Sequence, residues 1–116
     1  MVDDNPINLK LVHVVLSKHG YEVVLKESAQ EALKYLEEER PSLILLDIQM
    51  PELDGISALK MIRNDPKLKD IPVIALTAYA MKGDREKFLE LGFDDYIGKP
   101  IEIKNLLNKV EKYIER

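Results

Sequence analysis

The 116-residue chain contains no cysteine, and this absence excludes disulfides, thiol catalysis and thiolate metal sites. No apolar run approaches the roughly 20 residues that a membrane-spanning helix needs, and no secretory signal is visible at the start. Lys and Arg (17) are outnumbered by Asp and Glu (21), which argues against a nucleic-acid surface with its usual basic stripe. No glycine-rich loop follows a predicted strand, so a nucleotide-binding fold is not expected. We therefore expect a cytoplasmic protein that contacts neither membranes nor nucleic acids directly.

What remains is the composition of one folded domain. The chain is 46% hydrophobic and 33% charged, as in ordinary globular proteins. Its length suits a single core, and it contains no internal repeat, low-complexity tract or Gly/Ser linker. We expect residues 1–116 to form one domain.

Helical and strand patterns alternate along the chain. Asn5 and Pro6 are typical of a helix start, Ser28 of a second start, and Gly20 of a helix end. Two continuous apolar runs, SLILLD and IPVIALTA, suit strands of a parallel sheet buried on both faces. Predicted helices cover 6–20, 29–40, 56–65, 82–92 and 101–116, and predicted strands cover 21–27, 42–47, 71–78 and 94–100.

This alternation indicates right-handed βαβ units, hence a parallel sheet covered by helices. The second helix is expected to end at Pro41. The last helix presents one apolar stripe, which consists of Ile103, Leu106, Leu107, Val110 and Ile114.

Polar residues occupy the carboxyl ends of three predicted strands. Asp47, Thr77 and Lys99 should therefore meet at the edge of the sheet where such folds place their sites. Asp3 and Asp4 add two carboxylates, and three acidic groups in one pocket call for a hard cation such as Mg²⁺. A cation, a lysine and a hydroxyl together suit a phosphoryl group, and Asp47 is the better candidate for a nucleophile that forms an acyl phosphate.

Four segments in this order carry a family resemblance: VDDNP, LILLDIQMPELDG, ALTAYA and DDYIGKPI. Together they resemble the receiver domain of two-component response regulators. The variants LTAYAMKGDREK and DDYIGKPI look most like the receivers of stand-alone single-domain regulators and of hybrid histidine kinases. The resemblance implies a flavodoxin-like, doubly wound parallel sheet with helices on both faces.

The resemblance also implies the roles of the site residues. Asp47 would accept a phosphoryl group from a sensor histidine kinase or a histidine phosphotransfer protein. Lys99 would pair with a phosphoryl oxygen. The resemblance implies that Asp4 binds Mg²⁺ or Mn²⁺ directly and that Asp3 binds it through water. Asp47 and the backbone carbonyl of Gln49 are the further implied ligands.

A switch and a docking face follow from the same resemblance. Thr77 would move toward the phosphoryl group, and Tyr96 would change rotamer with it. The bond from Lys99 to Pro100 is expected to be cis. The surface that a downstream protein partner reads would consist of Tyr79, Met81, Lys82, Tyr96 and the last helix.

Each residue also has an ordinary structural interpretation. The acidic pair Asp3–Asp4 could be a solvated helix start, Asp47 a turn residue, Thr77 a strand former and Lys99 a solvated lysine. These four interpretations would have to hold together at one edge of the sheet. For Tyr96 a place in the core or its rim remains open.

Elsewhere the sequence offers no second site. We expect the neighbouring pair Asp94–Asp95 to be loop polarity.

Two other functional classes share parts of this pattern. A Mg²⁺-dependent aspartyl-phosphate phosphatase generally has a second aspartate two residues after its nucleophile, but here that position is Gln49, which transfers no proton at neutral pH. We therefore expect a signalling protein with only slow self-phosphotransfer and self-dephosphorylation, rather than an enzyme. The other class, a phosphorylation-independent interaction module with the same fold, stays open.

The first strand of the resembled fold is apparently truncated. Such a strand has about five residues and would lie between 21–27 and 43–47, yet only Met1 and Val2 precede the acidic pair. Three explanations are open: the given sequence begins late, which we favour; another chain or an exchanged element fills the gap, giving an oligomer; or residues 1–5 form a short, frayed strand in a less stable domain.

Overall fold

The computed structural model describes residues 1–48, 55–78 and 84–114, and at 84 and 85 it describes the backbone alone. From residue 44 onward, helices and parallel strands alternate within these ranges, as the sequence predicts. The elements are α1 (Pro6–Lys18), α2 (Ala29–Leu36), β1 (Ile44–Asp47), α3 (Gly55–Asn64), β2 (Val73–Thr77), α4 (Asp84–Leu91), β3 (Asp95–Gly98) and α5 (Ile103–Tyr113).

The three strands form a parallel sheet in the order β1-β2-β3. Its register places Asp47 beside Leu76 and Thr77 beside Gly98. Both β1 and β2 are buried along their whole length, as expected for strands with helices on both faces. The carboxyl ends of the three strands consequently meet at one edge.

Side chains of the sheet alternate between two cores. Leu46 packs in one core with Leu59 of α3 and the buried side of α2. Leu45 packs in the other core with Leu106 of α5 and the buried side of α1. The sheet is thus covered on both faces, which confirms the flavodoxin-like, doubly wound fold class.

A single residue, Val2, stands in the position of a first strand. Its N–H donates to the carbonyl oxygen of Leu45 (2.8 Å), and its carbonyl oxygen accepts from the N–H of Asp47 (2.9 Å). The Val2 side chain is only 3% exposed. Val2 therefore continues the sheet beyond β1 by one rung.

The other edge of this short segment pairs with Lys26. The N–H of Lys26 donates to the carbonyl of Met1 (2.9 Å), and the N–H of Asp3 donates to the carbonyl of Lys26 (3.1 Å). Val2 thus forms parallel bridges to both Lys26 and Leu46. In this structure residues 1–3 take the place of that strand, with Val2 as the bridge residue.

The predicted strand at 21–27 is wrong, because only Lys26 takes part in pairing. A strand needs a neighbour of similar length to satisfy its N–H and C=O groups. Met1 to Asp3 offer only two rungs, so residues 21–25 carry no ladder despite their strand-like sequence.

The helix ends follow local chemistry. The Asn5 side chain accepts from the N–H groups of Ile7 and Asn8, and Ser28 caps α2, both as predicted. Gly20, with φ +89°, follows α1. The prediction that the second helix reaches Pro41 is wrong. The N–H of Glu37 turns to Lys34 O and that of Glu38 to Tyr35 O, and these tighter bonds close α2 at Leu36.

One member of the predicted apolar stripe faces water. Ile103 is 48% exposed because it is the first residue of α5, whereas Leu106 and Val110, one and two turns later, are buried. No helix within the described ranges has the length and apolarity that crossing a membrane requires.

Gly55 lets α3 begin directly against the end of β1. A Cβ at this position would meet the carbonyl oxygen of Asp47 and would lie 2.6 Å from the Cα of Ile48. Real Cβ atoms essentially never approach backbone so closely. Any side chain at Gly55 must therefore displace the segment that carries Asp47.

We expect Gly55→Ala to destabilise the protein by about 1–3 kcal/mol, the usual cost of overpacking. Chemical denaturation with circular dichroism measures this change. Lys60→Ala, an exposed change on the same helix, is the control and should stay within about 0.5 kcal/mol of the parent. A Gly55→Ala protein as stable as the control would contradict the close approach.

The amino group of Met1 is buried beside the 21–26 segment. It donates to the carbonyl oxygen of Val24 at 2.7 Å. Burial, assisted by the charge of Lys26, lowers the pKa of this group from 8.0 to about 6. Because its pKa is lower in the folded state, the unfolded state binds more protons between pH 6 and 8, and stability falls as the pH drops through that window.

We expect this amino group to raise the free energy of unfolding by about 2 kcal/mol between pH 6 and pH 8. Denaturant titrations at the two pH values measure the rise. Acetylation of Met1 removes the titrating charge, so the acetylated protein should show a rise smaller by that amount. Equal pH dependence in the two forms would show that the amine is not buried.

Candidate functional site

The polar strand ends converge as the topology predicts. Asp47 closes β1 and Thr77 closes β2, and they are only 1% and 0% exposed. Lys99 directly follows β3, and its N–H donates to the carbonyl oxygen of Thr77 (2.8 Å). Three separate strands thus deliver an acid, a hydroxyl and an ammonium to one edge of the sheet.

Asp3 is the buried member of the acidic pair, at 0% exposure. One carboxylate oxygen accepts from the N–H of Asn5 (2.9 Å), and the other accepts from Nδ2 of Asn8 (3.1 Å). Since Asn5 also caps α1, the start of this helix holds Asp3 in place. Asp4, by contrast, is exposed.

Lys99 links the two buried carboxylates. Its Nζ lies 3.2 Å from Oδ2 of Asp47 and 3.3 Å from Oδ2 of Asp3. The lysine side chain is 18% exposed, so the contacts are shielded from most of the solvent. The Lys99 ammonium thus lies between the two buried carboxylates and offsets part of their negative charge.

The three acidic groups are close enough to share one cation. One carboxylate oxygen from each of Asp3, Asp4 and Asp47 lies within 4.8 Å of the others. One ammonium offsets only part of three negative charges, so the cluster keeps an excess negative charge. An all-oxygen donor set with this charge fits Mg²⁺, which takes one or two carboxylates and keeps several waters.

Several predicted site residues fall outside this picture. Gln49, Tyr79, Met81 and Lys82 lie outside the described residues. The bond between Lys99 and Pro100 is cis, as expected.

Tyr96 is half-buried and packs against the core. A place in the core or at its rim was one of the two interpretations of this residue. Its ring lies 5.6 Å from that of Phe88, at an angle of 38°. The Nζ of Lys109 lies 5.6 Å from the centre of the same ring. Tyr96 therefore sits between α4 and α5.

The interpretation of Asp94–Asp95 as loop polarity is wrong for Asp95, which is the first residue of β3. Asp95 is 1% exposed and accepts from Nζ of Lys109 at 2.7 Å. Burial raises the pKa of Asp95, but the Lys109 ammonium, the Tyr96 N–H and the Tyr113 hydroxyl outweigh burial and hold this pKa below its ordinary value. Asp95 thus fastens α5 to β3.

Asp94 makes a second such link. Its Oδ2 accepts from Arg63 of α3 and from the N–H of Val73, both at 2.8 Å.

Sequence reasoning missed three residues that shape the site: Asn8, Gly55 and Lys109. Asn8 lies five residues after Asp3, and only the turn at Asn5 brings the two side chains together. The sequence Asp54-Gly55 is typical of a turn, but it does not report that α3 touches the end of β1 at this point. For Lys109 the only signal was its place on the last helix.

Comparison with known proteins agrees with this geometry. The family model described as the response regulator receiver domain matches residues 1–111. The chain is 41% identical to the polar-differentiation response regulator DivK of Brucella anthropi, over 98% of this chain and 93% of that protein.

Solved structures show the same fold. A response regulator of Chloroflexus aurantiacus has a TM-score of 0.90 at 31% identity, over 99% of this chain and 94% of its own. The receiver domain of sensor histidine kinase PA1611 from Pseudomonas aeruginosa, with a magnesium ion coordinated in its active-site cleft, has a TM-score of 0.87 at 38% identity, over 97% and 93%. A buried aspartate at a strand end, two further acids and a lysine thus occur here on a fold shared with those proteins. The chain belongs to the family of response regulator receiver domains and is a signalling protein of two-component systems, not a classical enzyme.

Proposed function

We propose that the chain, as one receiver domain over residues 1–116, accepts a phosphoryl group on Asp47 from a phosphohistidine of a sensor kinase or phosphotransfer protein. The observation that carries the proposal is the contact of the Lys99 ammonium with two buried carboxylates, 3.2 Å from Asp47 and 3.3 Å from Asp3. A carboxylate held at the end of a strand beside an ammonium is placed to act as a nucleophile. The cytoplasmic location is part of this proposal and rests on the sequence.

The transfer is a displacement at phosphorus. An oxygen of the Asp47 carboxylate forms the new P–O bond while the P–N bond of the donor breaks, and the electron pair of that bond returns to the imidazole nitrogen. Lys99 could exchange part of its contact with Asp3 for a contact with a phosphoryl oxygen. The Thr77 hydroxyl, on the neighbouring strand, offers a further donor.

Mg²⁺ or Mn²⁺ is the proposed cofactor, held by Asp3, Asp4 and Asp47, and it supplies positive charge for the equatorial phosphoryl oxygens. The Asn8 and Asn5 donors fix Asp3 so that both of its oxygens stay at the site. The exposed Asp4 leaves room for waters and for the donor to approach.

The switch is proposed to run from Thr77 to Tyr96. Both residues lie on neighbouring strands, and Tyr96 already contacts α4 through Phe88 and α5 through Lys109. A change in the Tyr96 rotamer would alter the surface between these two helices, which a downstream protein partner would read. A self-dephosphorylation that is slow would let this state persist.

The phosphoacceptor is tested by intact mass after incubation with acetyl phosphate. We expect a gain of one phosphoryl group that requires Mg²⁺ and is lost in Asp47→Ala. The matched control is Asp70→Ala, which removes an exposed acid elsewhere and should leave the gain unchanged. A folded protein that gains no phosphoryl group, or an Asp47→Ala protein that gains one, would refute the proposal and favour the phosphorylation-independent module.

Asp3→Asn keeps the size of Asp3 and one of its two acceptor oxygens but removes its charge. We expect Mg²⁺ affinity to fall about tenfold or more, as for other changes around metal sites. Mg²⁺ titration followed by NMR shifts of the Asp47 amide measures the affinity. Unchanged affinity would exclude Asp3 from the cation site.

Thr77→Ala should still accept a phosphoryl group but should not pass the change on to Tyr96. The measurement is the NMR shift of the Tyr96 ring with and without acetyl phosphate and Mg²⁺. Thr77→Ser retains the hydroxyl and should respond as the parent does. A full Tyr96 response in Thr77→Ala would contradict the proposed switch.

A further inference from the structure

The start of β3 forms a buried junction with α5. Asp95 is 1% exposed, and its Oδ1 accepts from the N–H of Tyr96 (2.8 Å) and from Nζ of Lys109 (2.7 Å). Its Oδ2 accepts from the hydroxyl of Tyr113 (3.1 Å). Both carboxylate oxygens are thus occupied by donors. Because separating a buried ion pair is costly, the Lys109 ammonium is fixed on Asp95.

The same ammonium also lies over the ring of Tyr96. Nζ of Lys109 is 5.6 Å from the ring centre, which is within the range of cation–π attraction. The lysine side chain is 25% exposed, so water reaches it only in part. The ring contacts α4 as well, through Phe88 at 5.6 Å between ring centres. Tyr96 is thus held by a cation from α5 and an aromatic ring from α4.

Lys109 differs from the other lysines that lie over tyrosine rings. Lys26 and Lys112 do so at 5.2 and 5.3 Å. In the part of the chain that the structure describes, neither of them forms an ion pair, whereas Lys109 does. A lysine without an ion pair can follow a moving ring. Lys109 is held by Asp95, so the contact is lost when the ring of Tyr96 turns away.

We infer that Lys109 is a positioning residue for Tyr96. Anchored on Asp95, it holds the ring in its present rotamer and biases the switch toward the unphosphorylated conformation. The inference rests on the proposed switch through Tyr96 and assigns it a regulating residue. A cation–π contact at a partly exposed site changes the ratio of two rotamers by about two- to fivefold.

The bias has a consequence for signalling. A phosphoryl group on Asp47 must outweigh the Lys109 contact before the ring of Tyr96 is displaced. A partner that reads the displaced ring would bind the unphosphorylated protein more weakly by the same two- to fivefold factor. Lys109 thereby lowers the basal level of the signal.

The contact itself is tested by the NMR shift of the Lys109 ε-methylene protons. Protons over an aromatic ring are shielded, so we expect this resonance upfield of the corresponding one of Lys104, which is exposed on the same helix. Tyr96→Leu removes the ring and should bring the Lys109 resonance to the position of Lys104. With acetyl phosphate and Mg²⁺ the upfield shift should decrease, because the ring turns away.

The bias is tested with Lys109→Met, which removes the charge and keeps most of the length. In the protein without acetyl phosphate, we expect the ratio of displaced to present Tyr96 rotamer to rise at least twofold. Tyr96 χ1 couplings and the NOE between the rings of Tyr96 and Phe88 measure this ratio. Lys109→Arg retains the cation and a donor for the carboxylate and should keep the parent ratio. Lys104→Met is the matched control and should also keep it.

A second variant separates the bias from a loss of folding. Lys109→Met deprives the buried Asp95 of its ion-pair partner, which destabilises the junction. Asp95→Asn/Lys109→Met removes both charges, and the amide oxygen of the new side chain can still accept from the N–H of Tyr96. This double variant should show the same rise in the rotamer ratio as Lys109→Met.

The inference is overturned if the Tyr96 rotamer ratio of the folded double variant equals that of Lys104→Met. It is also overturned if Lys109→Arg raises the ratio as much as Lys109→Met does, since the cation would then have no role. A Lys109 resonance that Tyr96→Leu does not move would remove the contact itself.

These three results are obtained without phosphorylation, so they stand apart from the phosphoacceptor test. Failure of the proposed function appears instead as the absence of a mass gain with acetyl phosphate. In a sample whose intact mass shows the phosphoryl group, an unchanged Lys109 resonance would overturn the link between this contact and the switch.

Discussion

The site depends on the pairing of one residue, Val2, with strands on both of its sides. Val2 bonds to Leu45 and Asp47, and its chain neighbours Met1 and Asp3 bond to Lys26. Together these bonds fix the backbone of residues 1–3. Unpaired buried N–H and C=O groups are costly, so this segment has few alternatives. The pairing also decides where Asp3 stands: one residue past Val2, buried, and beside the end of β1. Backbone hydrogen bonds thus determine the position of the charge cluster, and side-chain contacts act within that arrangement.

Electrostatics then ties the site to the rest of the fold. Three acids at one edge repel each other, and Lys99 relieves part of this repulsion through two contacts of 3.2 and 3.3 Å. The same lysine follows β3, whose first residue, Asp95, is fastened to α5 by Lys109. Under the proposed switch, a change of charge at Asp47 would act on the strand that anchors α5. These charged contacts would be its route to the helix surface around Tyr96.

Periodicity and strand-end polarity were sufficient to predict most of the fold and the convergence of Asp47, Thr77 and Lys99. Three of the errors concern contacts with residues distant in sequence. The strand predicted at 21–27 has suitable residues but no neighbour of sufficient length. Ile103 fits the apolar period, yet it lies at the start of α5 and is exposed. The buried role of Asp95 requires Lys109 and Tyr113 from another helix, and no local pattern in the sequence reports such a contact.

The most direct test of the dependence of the site on the Val2 pairing is native-state hydrogen exchange at the amides of Val2, Asp3 and Asp47, with and without Mg²⁺. These three N–H groups make the bonds that hold the short segment in the sheet. We expect all three amides to be protected and to exchange together. We also expect Mg²⁺ to slow their exchange at least tenfold, because a cation on Asp3 and Asp47 stabilises the pairing of the Val2 segment with β1. Exchange at the rates of an unstructured peptide, or protection that Mg²⁺ leaves unchanged, would contradict the dependence of the site on this pairing.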